Sequence, residues 1–408
     1  MNYPRRTFLK KTGAASALAI FTDPINSLSA SNKITAEDPL GVRGDFPIAQ
    51  MRTYLNAAYT AAIPRQVVDA AYAFANGKAQ LPSTVGSMLK DTEKVRQQYA
   101  LLINALPEEI AFLASTSEGE NIVANGIPWN AGDNVVTDDL HYETGFVIYR
   151  HLEKSKGIQV RIVKNKDGGI APEDYAKVVD KRTRLLALSF VSSLNGFRHD
   201  LRALANLAHA NGAYIYVDGI QGVGAFPFDA HSSGIDFMCS GTYKWLLASY
   251  GVAPFYIRKE LIEVIPLDRF GWKHVEKELP DGQFELSHAA KRFEYATLPF
   301  GVIAQLGAAL TYLEKVGVEK IGTHTLGLAR TIRKEINDQG KRLFTPLNNE
   351  SPTVTCYIEN PAAALTAFSA ATIDVTVREK EKQVRVSPAL FNTIDEVGKF
   401  LEVLKKLR

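Results

Sequence analysis

Between residues 110 and 257 the chain alternates short apolar runs with helical stretches, and this alternation limits the fold more than any other feature. Ile110 to Leu113, Val135 to Thr137, Leu185 to Phe190, Ala213 to Val217, Phe237 to Cys239 and Gly251 to Ile257 are strand-like, and Leu201 to Ala210 is helical. Runs this short and this apolar are buried on both faces, as strands of a parallel sheet between helix layers are. The expected class is therefore α/β, a three-layer mostly parallel sheet. Further along, Phe300 to Val316 reads as an Ala/Leu-rich helix, and Ser351 to Glu359 and Thr372 to Arg378 read as strands. Val397 to Leu407 closes the chain as a helix with Val397, Phe400, Leu401 and Leu404 on one face. Residues 66–300 are expected to form a large domain, and residues 31–65 with 301–408 a smaller α+β one.

The first thirty residues read as an address. Arg5 and Arg6, then Phe8-Leu9-Lys10, precede an apolar stretch from Gly13 to Phe21 and small residues at Ser27 to Ala30. This looks like a twin-arginine export signal, with Pro4 where Ser or Thr is usual, and implies a periplasmic protein. The apolar stretch is too short to span a bilayer. The formal charge of +3 over 408 residues sits in this segment, and removing it leaves equal numbers of basic and acidic residues. No other basic tract points to nucleic acid or a membrane surface. Two cysteines, Cys239 and Cys356, make no disulfide framework, and no metal site is expected.

In open α/β sheets, ligands gather at the carboxyl ends of the strands. Polar clusters follow four of the strands here: Ser115 to Asn121, Ser192-Ser193, Asp218-Gly-Ile-Gln221, and Ser240-Gly-Thr-Tyr-Lys244. Each has an ordinary explanation alone. Asp218 suits a helix N-cap, Lys244 a snorkelling surface lysine, and Ser115 with Glu118 a capping box. Together they match the needs of pyridoxal phosphate (PLP). That cofactor takes a lysine for its Schiff base, a carboxylate at its ring nitrogen, a helix start with hydroxyls for its phosphate, and an aromatic over its ring.

The order and spacing resemble the class V aminotransferase family, fold type I PLP enzymes that include cysteine desulfurases, kynureninase and isopenicillin-N-epimerase-like proteins. The anchors are Tyr54-Leu-Asn-Ala-Ala58, Thr116 to Asn121, Val217 to Gln221, Tyr243-Lys244, Arg292 to Thr297, Val384 to Pro388 and Phe391-Asn-Thr393. The resemblance implies Lys244 as the Schiff-base lysine, Asp218 at the ring nitrogen and Gln221 at the phenolic oxygen. It implies Thr116, Ser117 and Tyr243 around the phosphate. Tyr142 is implied as the stacking aromatic, with His141 its competitor. Ser193 stands where many members have Asn. Gly241 stands where desulfurases have a phosphate-binding serine, with Ser240, Thr242 or Tyr243 to compensate. Arg385 is implied to bind the substrate carboxylate, with Arg378 and Asn56 nearby, and Trp272 is assigned to packing. Thr297 is implied to reach the cofactor of a second subunit, hence a homodimer.

The resemblance leaves the reaction open, since the α-proton taken by Lys244 can return at the cofactor, at Cα, or not at all. An aminotransferase-type reaction on an α-amino acid is preferred here. Epimerisation or C–S/β-elimination on the same scaffold is the alternative, and a non-catalytic PLP-binding sensor comes last. Cysteine desulfuration is set aside because Val377 to Gln383, just before Arg385, holds no cysteine. A nucleotide-binding Rossmann enzyme lacks its glycine fingerprint.

Overall fold

The computed structural model describes residues 38–407. The expected export signal at residues 1–30 lies outside them. A seven-stranded sheet dominates. Its strands are β1 (Ile110–Leu113), β2 (Asn134–Asp138), β3 (Gln159–Val163), β4 (Thr183–Ser189), β5 (Tyr214–Asp218), β6 (Phe237–Cys239) and β7 (Ala253–Ile257). Their order across the sheet is β1-β7-β6-β5-β4-β2-β3. Only β7 runs antiparallel to its neighbours, β1 and β6.

The sheet is covered on both faces, as the apolar runs require. Along β5, Ile215 and Val217 enter one core and Tyr216 the other. On the first face lie α1 (Arg65–Gln80), α2 (Val85–Leu102), α5 (Leu201–Ala210) and α6 (Phe300–Val316); on the second lie α3 (Thr116–Gly126) and α4 (Gly145–Lys156). Buried residues of these helices, such as Tyr99 and Leu204 on one side and Ile122 and Leu152 on the other, belong to the two cores.

A second sheet of three strands holds β8 (Val354–Tyr357), β9 (Thr376–Arg378) and β10 (Gln383–Val386), ordered β8-β10-β9 and antiparallel throughout. One face packs on α7 (Val318–Asp338) and α8 (Ile394–Lys406) through Ile332, Ile336, Val384, Val386, Phe400 and Leu404. Two loops of the large sheet dock on the chain around β8. Asn195 donates to Gly168 O and Phe344 O, and the Ser351 hydroxyl to Gly196 O. These ties carry β10, and with it Arg385, to the carboxyl end of β4.

The strands and helices expected from the sequence are present, with two adjustments. The strand expected over 372–378 is broken into Ile373–Asp374 and Thr376–Arg378. The edge strand β3 has no counterpart in the apolar pattern, because Gln159 and Arg161 interrupt it.

Candidate active site

The carboxyl ends of β1, β4, β5 and β6 open into one cavity of about 260 Å³. Thr116 and Ser117 line it after β1, Ser193 after β4, Asp218 and Gln221 at β5, and Gly241, Tyr243 and Lys244 after β6, with Tyr142 from the segment after β2. A larger surface groove, about 960 Å³, lies among Phe190, Arg198, Phe228 and Asp229 and holds none of these groups.

The phosphate end is built by α3. Ser115 caps the helix by accepting from Glu118 N, and Ser115, Thr116 and Ser117 at the helix start line the cavity. The helix sits close to the sheet because Gly119 has no side chain. A Cβ there would lie 2.7 Å from Cys239 Cβ. Gly241 N donates to Thr116 Oγ1. A Cβ on Gly241 would fall 2.7 Å from Ile220 Cδ1 and 3.3 Å from Thr116 Oγ1, so the missing side chain is part of the cradle. Of the three residues expected to compensate at Gly241, only Tyr243 lines the cavity. Thr242 is buried and donates its hydroxyl to Ser249 O and Val252 O, and Ser240 is fully buried. The Tyr243 ring stacks on Tyr250 at 4.2 Å between centroids.

Lys244 is 9% exposed, and its Nζ lies 5.6 Å from the Tyr243 ring centroid. Burial lowers its amine to about 8; Asp218 opposes that shift and Arg385 reinforces it. The amine is thus poised to be neutral and nucleophilic near physiological pH. Asp218 is buried at the end of β5 and accepts from Ile220 N. Burial pushes its carboxyl up, while Ile220 N–H, His141 and Lys244 hold it down. Gln221 is already held at both ends: it donates to Ala58 O and accepts from Trp245 Nε1. That leaves one amide N–H for the cavity.

The lowered affinity of Lys244 for its proton has a measurable consequence. From about pH 8 up to the ordinary lysine value the unfolded chain binds more protons than the folded one, so stability of the cofactor-free protein rises with pH over that window. The contribution is on the order of 3 kcal/mol. Denaturant midpoints at about pH 7.5 and about pH 10 should show this rise in the wild type and lose it in Lys244→Met. An equal rise in both proteins would assign it to other groups.

Arg385 stands on β10 beside the cavity. It is 4% exposed and donates to Ser193 O and Thr376 Oγ1, while its Nε has no partner among the described residues. Burial first, and Arg378 second, press its charge down from the ordinary guanidinium value. Arg378 donates to Ser193 O and Leu194 O. A buried guanidinium without a carboxylate partner among the described residues suits an incoming anion. Asn56 does not line the cavity; it accepts from Thr376 Oγ1 and so reaches Arg385 at one remove. Thr297 is exposed and outside the cavity lining, and Trp272 is half-exposed at the surface.

Of the two candidates after β2, Tyr142 lines the cavity and is 44% exposed. His141 is buried and bonded to Glu120 and Ser189. Glu120 and Ser189 also line the cavity; Glu120 lay within an anchor motif without a role, and Ser189 was not singled out. A buried acid inside a helix has the same local signature as a solvated one.

A family model described as aminotransferase class-V matches residues 53–400. A cysteine desulfurase of Klebsiella pneumoniae is 30% identical over 90% of this chain and 97% of its own. The apo structure of a cysteine desulfurase from Thermococcus onnurineus superposes with a TM-score of 0.82 at 23% identity, covering 91% of this chain and 98% of that one. The cystine C–S lyase C-DES superposes with a TM-score of 0.82 at 20% identity, covering 89% and 99%, and another structure of C-DES has glycine linked covalently to its PLP cofactor. The α/β class with a mostly parallel sheet agrees with these folds. The expectation that this chain is not a cysteine desulfurase is corrected: its relatives at about 30% identity over nine-tenths of the chain carry that name. The missing cysteine in Val377 to Gln383 concerns which group receives sulfur. It does not determine which substrate bond the cavity breaks.

Proposed function

We propose, from the premise that the chain belongs to the class-V aminotransferase family, that it is a PLP enzyme that cleaves the carbon–sulfur bond of a sulfur-containing α-amino acid. One observation carries the amino-acid part: Lys244, a buried amine that loses its proton near pH 8, lines the cavity, and just behind the lining the buried Arg385 guanidinium, with no carboxylate partner among the described residues, donates to the O of the lining residue Ser193. The desulfurase relatives support the choice of bond.

The residues present fit the cofactor. The cradle at Gly241 and the first turn of α3 suit a phosphate, and the buried Asp218 suits a ring nitrogen. When bound, PLP supplies an electron sink for charge developing at the substrate's α-carbon. Lys244 Nζ would be the group that holds the cofactor and, once displaced by a substrate amine, the base for the Cα proton. Arg385 grips the α-carboxylate through parallel N–H bonds and so sets which substituent faces Lys244. Asp218 would serve the ring nitrogen, Thr116, Ser117 and Tyr243 the phosphate, Gln221 with its remaining N–H the phenolic oxygen, and Tyr142 the ring face.

Transamination and epimerisation use the same residues and differ only in where the proton returns. Incubation with cysteine or cystine, with no 2-oxo acid present, is expected to release sulfur from the amino acid. Analysis of the carbon product as alanine or pyruvate then tells where the sulfur goes. Amino transfer that requires a 2-oxo acid, with no sulfur released, contradicts carbon–sulfur cleavage and supports the aminotransferase reading.

Two further parts of the proposal rest on sequence motifs alone. A homodimer in which Thr297 reaches the partner subunit's phosphate rests on Arg292 to Thr297. Export by the twin-arginine route rests on Pro4 to Lys10.

A further inference from the structure

Four side chains form a buried, hydrogen-bonded chain at the ring end of the cavity. Tyr149 OH donates to Glu120 Oε1 at 2.7 Å, and His141 Nε2 lies 3.0 Å from the same oxygen. His141 Nδ1 lies 3.0 Å from Ser189 Oγ. All four residues are at most 6% exposed. Ser189 is the register partner of Asp218 across β4 and β5.

This arrangement carries a cost. Position 120 lies on the inward side of α3, among the buried Gly119, Ile122 and Val123. An aliphatic residue would fill it without desolvating a carboxylate. The start of α4 is shaped around the pair: a Cβ on Gly145 would lie 2.7 Å from both Glu120 Oε1 and His141 Nε2. Costly buried polar groups next to a cavity are characteristic of function.

We propose that Glu120 is a positioning residue that acts through His141: it fixes the imidazole as a doubly donating cation beside Asp218, and so keeps Asp218 a carboxylate for the cofactor's ring nitrogen. As a cation, the ring donates one N–H to Glu120 and the other to Ser189, so both nitrogens are satisfied. The groups facing His141 favour that state. Burial opposes the charge, but Glu120 on α3, Asp138 on β2 and Asp218 on β5 outweigh it, and its proton affinity is raised. The other histidine nearby, His199, is pushed towards neutrality by burial and does not compete for the charge. Burial raises the Asp218 carboxyl overall, and of the charges that oppose this His141 comes first and Lys244 second.

The part about Asp218 rests on the PLP reading; the coupling of Glu120 to His141 does not. The test therefore has two arms. In the cofactor-free protein, ring nitrogen and proton resonances of His141 are followed against pH in wild type, Glu120→Gln and Gly145→Ala. The last keeps every polar group but displaces the pair. His141 is expected to stay doubly protonated past the ordinary histidine range in wild type and to lose at least about tenfold in proton affinity in both variants. In the cofactor-loaded protein, the pH dependence of the visible absorbance is expected to shift in both variants, with Glu120→Asp restoring part of it. Unchanged His141 titration in Glu120→Gln overturns the proposal. So does a shifted His141 with an unshifted cofactor spectrum. A protein that takes up no PLP contradicts the proposed function, while the first arm still reads Glu120 and His141.

Discussion

The Lys244→Ala protein should lack the visible absorbance of a cofactor joined to the chain's own amine and should retain no more than about one part in a thousand of the wild-type turnover. Two losses combine. The covalent hold on the cofactor goes, and so does the amine that takes the Cα proton. Nothing else in the cavity replaces it, since Lys244 is the only lysine among the cavity's lining residues. The fold should survive, because removing a poorly solvated amine relieves a desolvation cost and β6 and its neighbours keep their packing. A variant that folds, keeps the cofactor's colour and turns over at near wild-type rate would remove Lys244 from the chemistry.

Arg385→Met should move function and stability in opposite directions. Two charge-assisted hydrogen bonds to a substrate carboxylate are worth about 3 to 4 kcal/mol, or roughly 10² to 10³ in kcat/KM. The loss should appear mainly in KM, because the carboxylate is gripped in ground state and transition state alike. Stability should rise instead. Arg385 is a buried cation pressed further by the like charge of Arg378, and its Nε is unpartnered among the described residues. An unbranched apolar residue of similar length fills the space without that penalty. A higher Tm together with a raised KM would identify Arg385 as a residue retained for binding at the expense of stability. A fall in Tm would mean that its bonds to Ser193 O and Thr376 hold β10 to the large sheet.

Asp218, Lys244 and Thr116 were legible because each lies at or within a few residues of the carboxyl end of an apolar run, where an α/β sheet delivers side chains to its ligand. Arg385 was legible only through resemblance. Its place depends on the docking of Asn195 and Ser351, contacts more than 140 residues apart in sequence. The assignment at Gly241 was not legible, because β6 ends at Cys239 and the turn that follows brings Gly241, Tyr243 and Lys244 to the cavity while Ser240 and Thr242 stay buried outside its lining. Glu120 and His141 were not legible in these roles, because a buried ion pair and a solvated acid look the same in a helical run. The edge strand β3 escaped for a related reason, its polar residues being tolerated where one side meets solvent.

The central claim is that PLP is held covalently by Lys244. Borohydride reduction of the cofactor-loaded protein, followed by proteolysis and mass mapping, tests it directly. The pyridoxyl group should be found on the peptide containing Tyr243-Lys244-Trp245 and fragment to Lys244. A label on another lysine, or none on a protein that has taken up the cofactor, would contradict it.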